Sequence, residues 1–187
     1  MYFINSFFIY SILGYIIEII FAFLIGANNP ESGFLYGPCT PIYGIAAILI
    51  TIVSEKLFKS LHLPRWIETI IVFIIITIIL MLLEYIGGIL IEIIFGFSFW
   101  DYSDYKYNIG KYVCLEMGIV WGIMSIVFIY IVKPRLDKYI KKVPKWLTIT
   151  FSIIFIIDFI IRLFVEYNII KTVWKHCFYT LKLKKGR

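Results

Sequence analysis

Ile70-Ile71-Val72-Phe73-Ile74-Ile75-Ile76 is the stretch on which the fold turns. A barrel strand would place a polar residue at every second position, and this run has none. It lies within an uncharged segment from Thr69 to Leu83. In hydrocarbon, backbone N–H and C=O groups must be bonded inside the protein, so such a run reads as a membrane helix. Outward from it, Met1 to Ile17, Ser32 to Ser54 and Met117 to Val132 are also free of charge. A hydrocarbon core about 30 Å thick takes ~20 apolar residues per helix. On that scale the spans fall near 3–25, 39–55, 66–94, 113–133 and 146–166.

Composition points the same way. The chain has 187 residues, 61% hydrophobic and 16% charged, with a mean hydropathy of +0.92. A soluble domain is roughly 45–50% apolar and about a quarter charged. A water-soluble domain, a disordered chain, a secreted disulfide scaffold and a coiled coil are thereby excluded. The expected fold class is all-α: a polytopic transmembrane helical bundle of five spans, forming a single membrane domain over residues 1–187. Ile169 to Leu183 is too short and too basic to cross comfortably, and reads as a sixth, interfacial helix.

The first span has no basic leader and no small-residue cleavage site, and it carries Glu18 in its middle, so it is expected to be retained. Nothing between the spans has room for a sizeable soluble domain. The glycines of Gly33-Phe34-Leu35-Tyr36-Gly37-Pro38 are not followed by Gly-Lys-Ser/Thr, so there is no phosphate loop. Any ATPase must come from another chain. Cys39, Cys114 and Cys177 form no spacing framework, and His62 and His176 supply little for a metal site. No metal and no cofactor are therefore expected. The net charge of +6 resides in loops and tail, where lysines favour anionic lipid rather than nucleic acid.

The positive-inside rule gives no orientation. Lys56, Lys59 and Arg65 in the second loop, with Lys133 to Lys145 in the fourth, outweigh Lys106 and Lys111 in the third. The basic tail from Lys171 to Arg187 nearly cancels that difference. From Trp66 to Phe95 the third span would measure about 45 Å as a helix. It must tilt, project or break, and Gly87-Gly88 is the natural break. Trp66, Trp100, Trp146 and Trp174 fall at span ends, as an aromatic belt requires.

The informative residues are acids within spans: Glu18, Glu84, Glu92, Glu116 and Asp158, with Arg162 among them. A carboxylate at mid-bilayer costs roughly 2.5–3.5 kcal/mol on insertion scales, so these should face protein or a watery cavity. Glu84, Gly88 and Glu92 are four apart and share a helix face, as do Gly14, Glu18, Ala22 and Gly26. Small residues admit close helix neighbours. The two seams are expected to meet, placing Glu18 near Glu84 or Glu92. Asp158, Arg162 and Glu166, also four apart, read as an intrahelical ion pair that permits insertion. Glu116 follows Lys111 closely enough to reach the interface.

Two segments add character. Pro38 and Pro41 suit a first helical turn, and the glycines around them suit either a re-entrant backbone or an ordinary loop. Asp101 and Asp104 could bind a hard cation, although the calcium-loop pattern is not met. Helix capping and interfacial anchoring is the plainer reading.

Gly14-Tyr15-x-x-Glu18, Gly33-Phe34-Leu35-Tyr36-Gly37-Pro38 with Pro41-Ile42-Tyr43-Gly44, Glu84-Tyr85, Trp100-Asp101-Tyr102-Ser103-Asp104, Asn108, Cys114-Leu115 and Trp121-Gly122 occur in that order. Over roughly residues 1–135 the chain resembles the type IV ABC-transporter permease family, the CmpB-like group of multi-pass proteins. The resemblance implies a bacterial cytoplasmic-membrane location and a permease role. Carried over by motif, the residues of interest are Glu18, Tyr36, Pro38, Tyr43, Glu84, Trp100, Asp101, Asp104 and Asn108. The family commonly has a basic residue before Gly-Phe-Leu-Tyr, whereas Asn28 to Ser32 precede Gly33 here.

The expectation is a transport subunit with Glu18, Glu84 and Glu92 lining a substrate or cation site. Membrane lipid surrounds it, and an ATP-hydrolysing subunit would act in trans. Gly118-x-x-x-Gly122 is a candidate face for a homodimer, equally explained by internal packing. The alternatives are a non-catalytic assembly or regulatory subunit and a lipid-modifying intramembrane enzyme. No nucleophile–base arrangement is present in the sequence, so no catalytic residue is assigned and the chain is not expected to be an enzyme.

Overall fold

A computed structural model describes residues 1–24 and 34–184, with side chains through Glu166. Asn28 to Gly33, where the chain departs from the family, lie outside the described residues. So do the side chains of Trp174, His176, Cys177 and the basic tail. Five helices are long and apolar enough to cross a membrane: Tyr2–Leu24, Pro41–Leu61, Arg65–Phe95, Leu115–Ile140 and Lys145–Glu166. They are labelled α1 (Tyr2–Leu24), α2 (Pro41–Leu61), α3 (Arg65–Phe95), α4 (Leu115–Val127) continuing into α5 (Lys133–Ile140), and α6 (Lys145–Lys184). Between α3 and α4 two short antiparallel strands, β1 (Asn108–Ile109) and β2 (Val113–Cys114), close a compact cap over one end of the bundle.

The ends of these helices follow from local chemistry. Pro41 opens α2, where its missing N–H is harmless. α2 stops at His62, whose φ of 46° is left-handed, and Pro64 precedes α3. The Glu68 carboxylate then turns back to accept the Leu63 N–H at 3.2 Å and bond Arg65 at 3.3 Å. Gly96 ends α3 at φ 76°, its N–H bonded to the Glu92 carbonyl at 2.8 Å. The α4–α5 helix widens to a π-helical turn over Phe128–Val132 just before Pro134. Proline lacks an N–H and its ring crowds the carbonyl four residues back, which explains the wider turn. The Arg135 side chain donates to the Ile131 carbonyl at 2.8 Å.

α3 is the central helix, packed against α2 on one side and α4 on the other. Val72 and Ile76 are 0% and 1% exposed and anchor a core with Ile50, Leu80 and Ile129. A second cluster joins Tyr10, Ala47 and Ile140 where α1, α2 and α5 meet. Glycines set the helix spacing at two places. A Cβ on Gly44 would strike Ser11 and Phe7 of α1, and one on Gly122 would strike Thr77 and Phe73 of α3. Gly118 faces Met81 of α3, so Gly118-x-x-x-Gly122 serves internal packing rather than a free dimer face.

Three expectations change. α3 runs unbroken through Gly87-Gly88; the notch at Gly88 is filled by the Tyr112 ring, so a helix this long must tilt or project. Ile169 to Leu183 is helical but continues α6 directly. α2 and the fourth span extend past their expected ends, to Leu61 and Ile140, so Lys56, Lys59, Lys133, Arg135 and Lys138 lie on helix rather than loop.

Candidate functional site

The carboxylate of Glu84 is the focal point. Glu84 lies on an otherwise apolar stretch of α3 and faces the cap and α4, 8% exposed. The Tyr102 hydroxyl, descending from the cap, donates to its Oε1 at 2.9 Å. The Trp121 ring N–H, from α4, donates to its Oε2 at 3.1 Å. Burial and the adjacent Glu84 push the Tyr102 hydroxyl far above its usual range, so it remains a donor. Two neutral donors thus hold both oxygens, and among the described residues no basic side chain is ion-paired with them.

Tyr43, in the first turn of α2, completes the site. Its ring fills the notch at Gly14 and meets Trp121 edge-on at 5.9 Å. Its hydroxyl hydrogen-bonds Glu18 and lies within electrostatic reach of Glu84 and Tyr102. The two four-residue seams therefore do not pack on each other: Gly14 receives Tyr43 and Gly88 receives Tyr112. Tyr43 links Glu18 to the surroundings of Glu84.

Glu92, two turns further along α3, belongs to the cap. Lys111 donates to it at 2.8 Å and the Tyr112 hydroxyl at 2.7 Å. The Glu92 carboxylate raises the Lys111 ammonium above its ordinary value. Trp100 donates its ring N–H to the Tyr112 carbonyl at 2.8 Å, and Asn108 donates to the Tyr102 and Ser103 carbonyls at 3.1 and 2.8 Å. The Ser103 hydroxyl and then its backbone N–H, the latter at 2.8 Å, bond the Asp101 carboxylate and hold it below the usual range. These contacts give Trp100, Asp101 and Asn108 one shared effect: they fix the loop from which Tyr102 reaches Glu84. Asp101 closes a turn rather than capping α4, whose N-cap is Cys114. Asp104 is exposed.

The glycine–proline segment is held differently. The Asp158 carboxylate on α6 accepts the backbone N–H of Tyr36 at 3.2 Å and of Gly37 at 2.8 Å. Arg162 pairs with Glu166 at 2.9 Å and lies over the rings of Phe34 and Tyr36, 5.6 and 5.0 Å from their centres. The expected intrahelical pair is thus Arg162–Glu166 alone, with Asp158 serving as an acceptor for another segment. The Thr40 N–H bonds the Ser11 carbonyl at 3.1 Å, docking residues 34–40 on α1 as well as α6. Tyr36 contributes its backbone and ring, and Pro38 is exposed. Cys39 and Cys114 are free thiols, both raised by burial.

Among the sequence-derived residues, the structure gathers Glu18, Tyr43 and Glu84, and keeps Glu92, Trp100, Asp101 and Asn108 in the cap. Tyr102 and Trp121 stand in the sequence within quoted motifs but outside the assigned site residues, yet both bond Glu84 directly. The available signal was Trp121 itself, a tryptophan in mid-span rather than at an interface, since a buried indole N–H needs an acceptor. Among the described residues no three His, Cys, Asp or Glu side chains converge as a metal site.

No curated protein and no solved structure matches this chain. The family model described as "Putative ABC-transporter type IV" matches residues 5–167, from the first turns of α1 to the end of the fifth span. With most of its length matched and its five membrane helices inside the match, the chain belongs to that family of ABC-transporter-related, multi-pass membrane proteins.

Proposed function

We propose that the chain is the membrane-embedded subunit of a transport system of the bacterial cytoplasmic membrane, with Glu84 at its cation- or proton-accepting site and ATP hydrolysis supplied by a separate chain. One observation carries the reading. Glu68 and Glu166, as buried as Glu84, have basic partners at 3.3 and 2.9 Å, and the half-buried Glu92 has one at 2.7 Å, whereas Glu84 has only neutral donors. A buried unpaired carboxylate is costly unless it takes up a proton or a cation. Glu84 accordingly alternates between a protonated form and one neutralised by the transported species. Tyr43 connects Glu18 to this exchange.

The test is flux in reconstituted vesicles, screening inorganic cations and organic amines under a proton gradient and with any co-purifying ATPase. Glu84→Gln removes the titrating group while keeping its shape and should abolish flux; Glu92→Gln, in the cap, should leave it largely intact. Unchanged flux with Glu84→Gln sinks the reading. A second reading, a non-catalytic assembly subunit, is favoured by the occupancy of both Glu84 oxygens by donors. On that reading Glu84→Gln weakens stability or partner binding, and no flux depends on it.

A further inference from the structure

The end of the bundle opposite the cap has a separate character, and the acids there are already engaged. Asp137 accepts from the Tyr2 hydroxyl at 2.7 Å and from Lys133 at 2.9 Å. Lys133 also reaches Glu55 at 3.0 Å, and Glu68 pairs with Arg65 at 3.3 Å. The exposed lysines beside them, Lys138, Lys141, Lys142 and Lys145 around α5, with Lys56 and Lys59 on the last turns of α2, have no carboxylate partner among the described residues. This end therefore presents a positive surface that the protein itself does not neutralise.

α5 is built to lie at a boundary. Ile140, 0% exposed, pins one face to α1 and α2. Tyr139 and Trp146, 58% and 66% exposed, flank the lysines, and Trp66 stands at the same end on α3. Exposed aromatic side chains next to apolar helices mark the headgroup level of a bilayer. Lysines at that level meet lipid phosphates before any soluble partner.

We propose that α5 and the adjoining end of α2 form a docking surface for anionic phospholipid headgroups, which complete the charge balance at this end. A nucleic acid or an acidic protein would have to reach past the headgroups to touch the same lysines.

The full chain is placed in nanodiscs of phosphatidylcholine alone or with phosphatidylglycerol, and its thermal unfolding and number of tightly retained lipids are measured. Wild type should unfold several degrees higher and retain phosphatidylglycerol at least about tenfold in preference to phosphatidylcholine, an advantage that fades in high salt. The combined variant Lys138→Gln, Lys141→Gln, Lys142→Gln, Lys145→Gln should lose that preference while unfolding in phosphatidylcholine as wild type does. A parallel variant neutralising Lys182, Lys184 and Lys185 in the tail should keep it. The proposal is overturned if wild type does not discriminate, if the α5 variant retains the preference, or if only the tail variant loses it. It is equally overturned if inorganic phosphate added to phosphatidylcholine discs reproduces the shift, since a free anion would then suffice. These readouts do not involve Glu84, so they stand or fall apart from the transport reading.

Discussion

Removing the hydroxyl of Tyr102 tests whether the cap is fastened to the bundle through Glu84. Tyr102→Phe keeps the ring and its edge-on contact with Tyr105 at 5.5 Å and deletes only the 2.9 Å bond to Glu84 Oε1. Hydrogen bonds to ionised groups contribute about 1.5–3 kcal/mol, those between neutral groups about 1. With Glu84 only 8% exposed, water does not readily replace the missing donor, so a loss of ~2 kcal/mol is expected. In the Glu84→Gln background the same change should cost ~1 kcal/mol, leaving a coupling of about 1 kcal/mol between the two sites. Reversible unfolding in mixed micelles, titrated with a denaturing detergent, measures all four corners of the cycle. Equal losses in both backgrounds, or a Tyr102→Phe loss under ~0.5 kcal/mol, would refute the fastening.

Further consequences can be measured on the same protein. Gly122→Ala forces a methyl into Thr77 and Phe73 and should cost about 1–3 kcal/mol by overpacking. Gly96→Ala meets nothing within 4 Å but sits at φ 76°, so its cost should be only ~1–2 kcal/mol and purely conformational; equal unfolding shifts for a bulkier pair, Gly122→Val and Gly96→Val, would contradict that distinction. Asp158→Ala leaves the Tyr36 and Gly37 N–H groups without an acceptor and should free residues 34–40 from α6. Faster maleimide labelling of Cys39, with the other cysteines replaced, reads that release. The cap should be best protected at intermediate pH. Asp101, depressed by its bonds to Ser103, contributes above the ordinary carboxyl range and loses its contribution as pH falls through the lowered folded value. Lys111, raised by Glu92, contributes below its ordinary 10.5 and loses its contribution as pH rises through the raised value. Amide protection at Tyr102, corrected for intrinsic exchange, should fall at both extremes, and Asp101→Asn should flatten the acid side.

The number and order of the membrane helices were legible because uncharged runs of this length have one outcome in a bilayer. Their ends were less so. Lys56, Lys133 and Lys138 look like loop residues, yet long cationic stems let a helix continue past the hydrocarbon. Gly87-Gly88 looked like a break because glycine weakens helices; whether a neighbouring ring fills the notch depends on Tyr112, far off in sequence. The same limit applies to the site. Spacing along one helix placed Glu84, Gly88 and Glu92 on a common face, and they do share it. Which partner each meets was set by the cap and α4, whose approach no local pattern encodes.

The arrangement of partners separates two carboxylates that the sequence presents as equivalent. Glu92 is tied to Lys111 and Tyr112, which are neighbours in the chain, so one short segment supplies both its charge and its donor. Glu84 is held by Tyr102 from the cap and Trp121 from α4, with Tyr43 of α2 beside them. A shift of α4 relative to α3 and the cap would break or lengthen the Trp121 bond while leaving Glu92 paired with Lys111 and Tyr112. A change in the charge of Glu84 alters the strength of both bonds together, because each donor is neutral and answers to the charge of its acceptor. On the proposed transport reading, proton or cation uptake at that one oxygen pair would be coupled to the packing of three elements, the property a transport subunit needs and a static anchor does not.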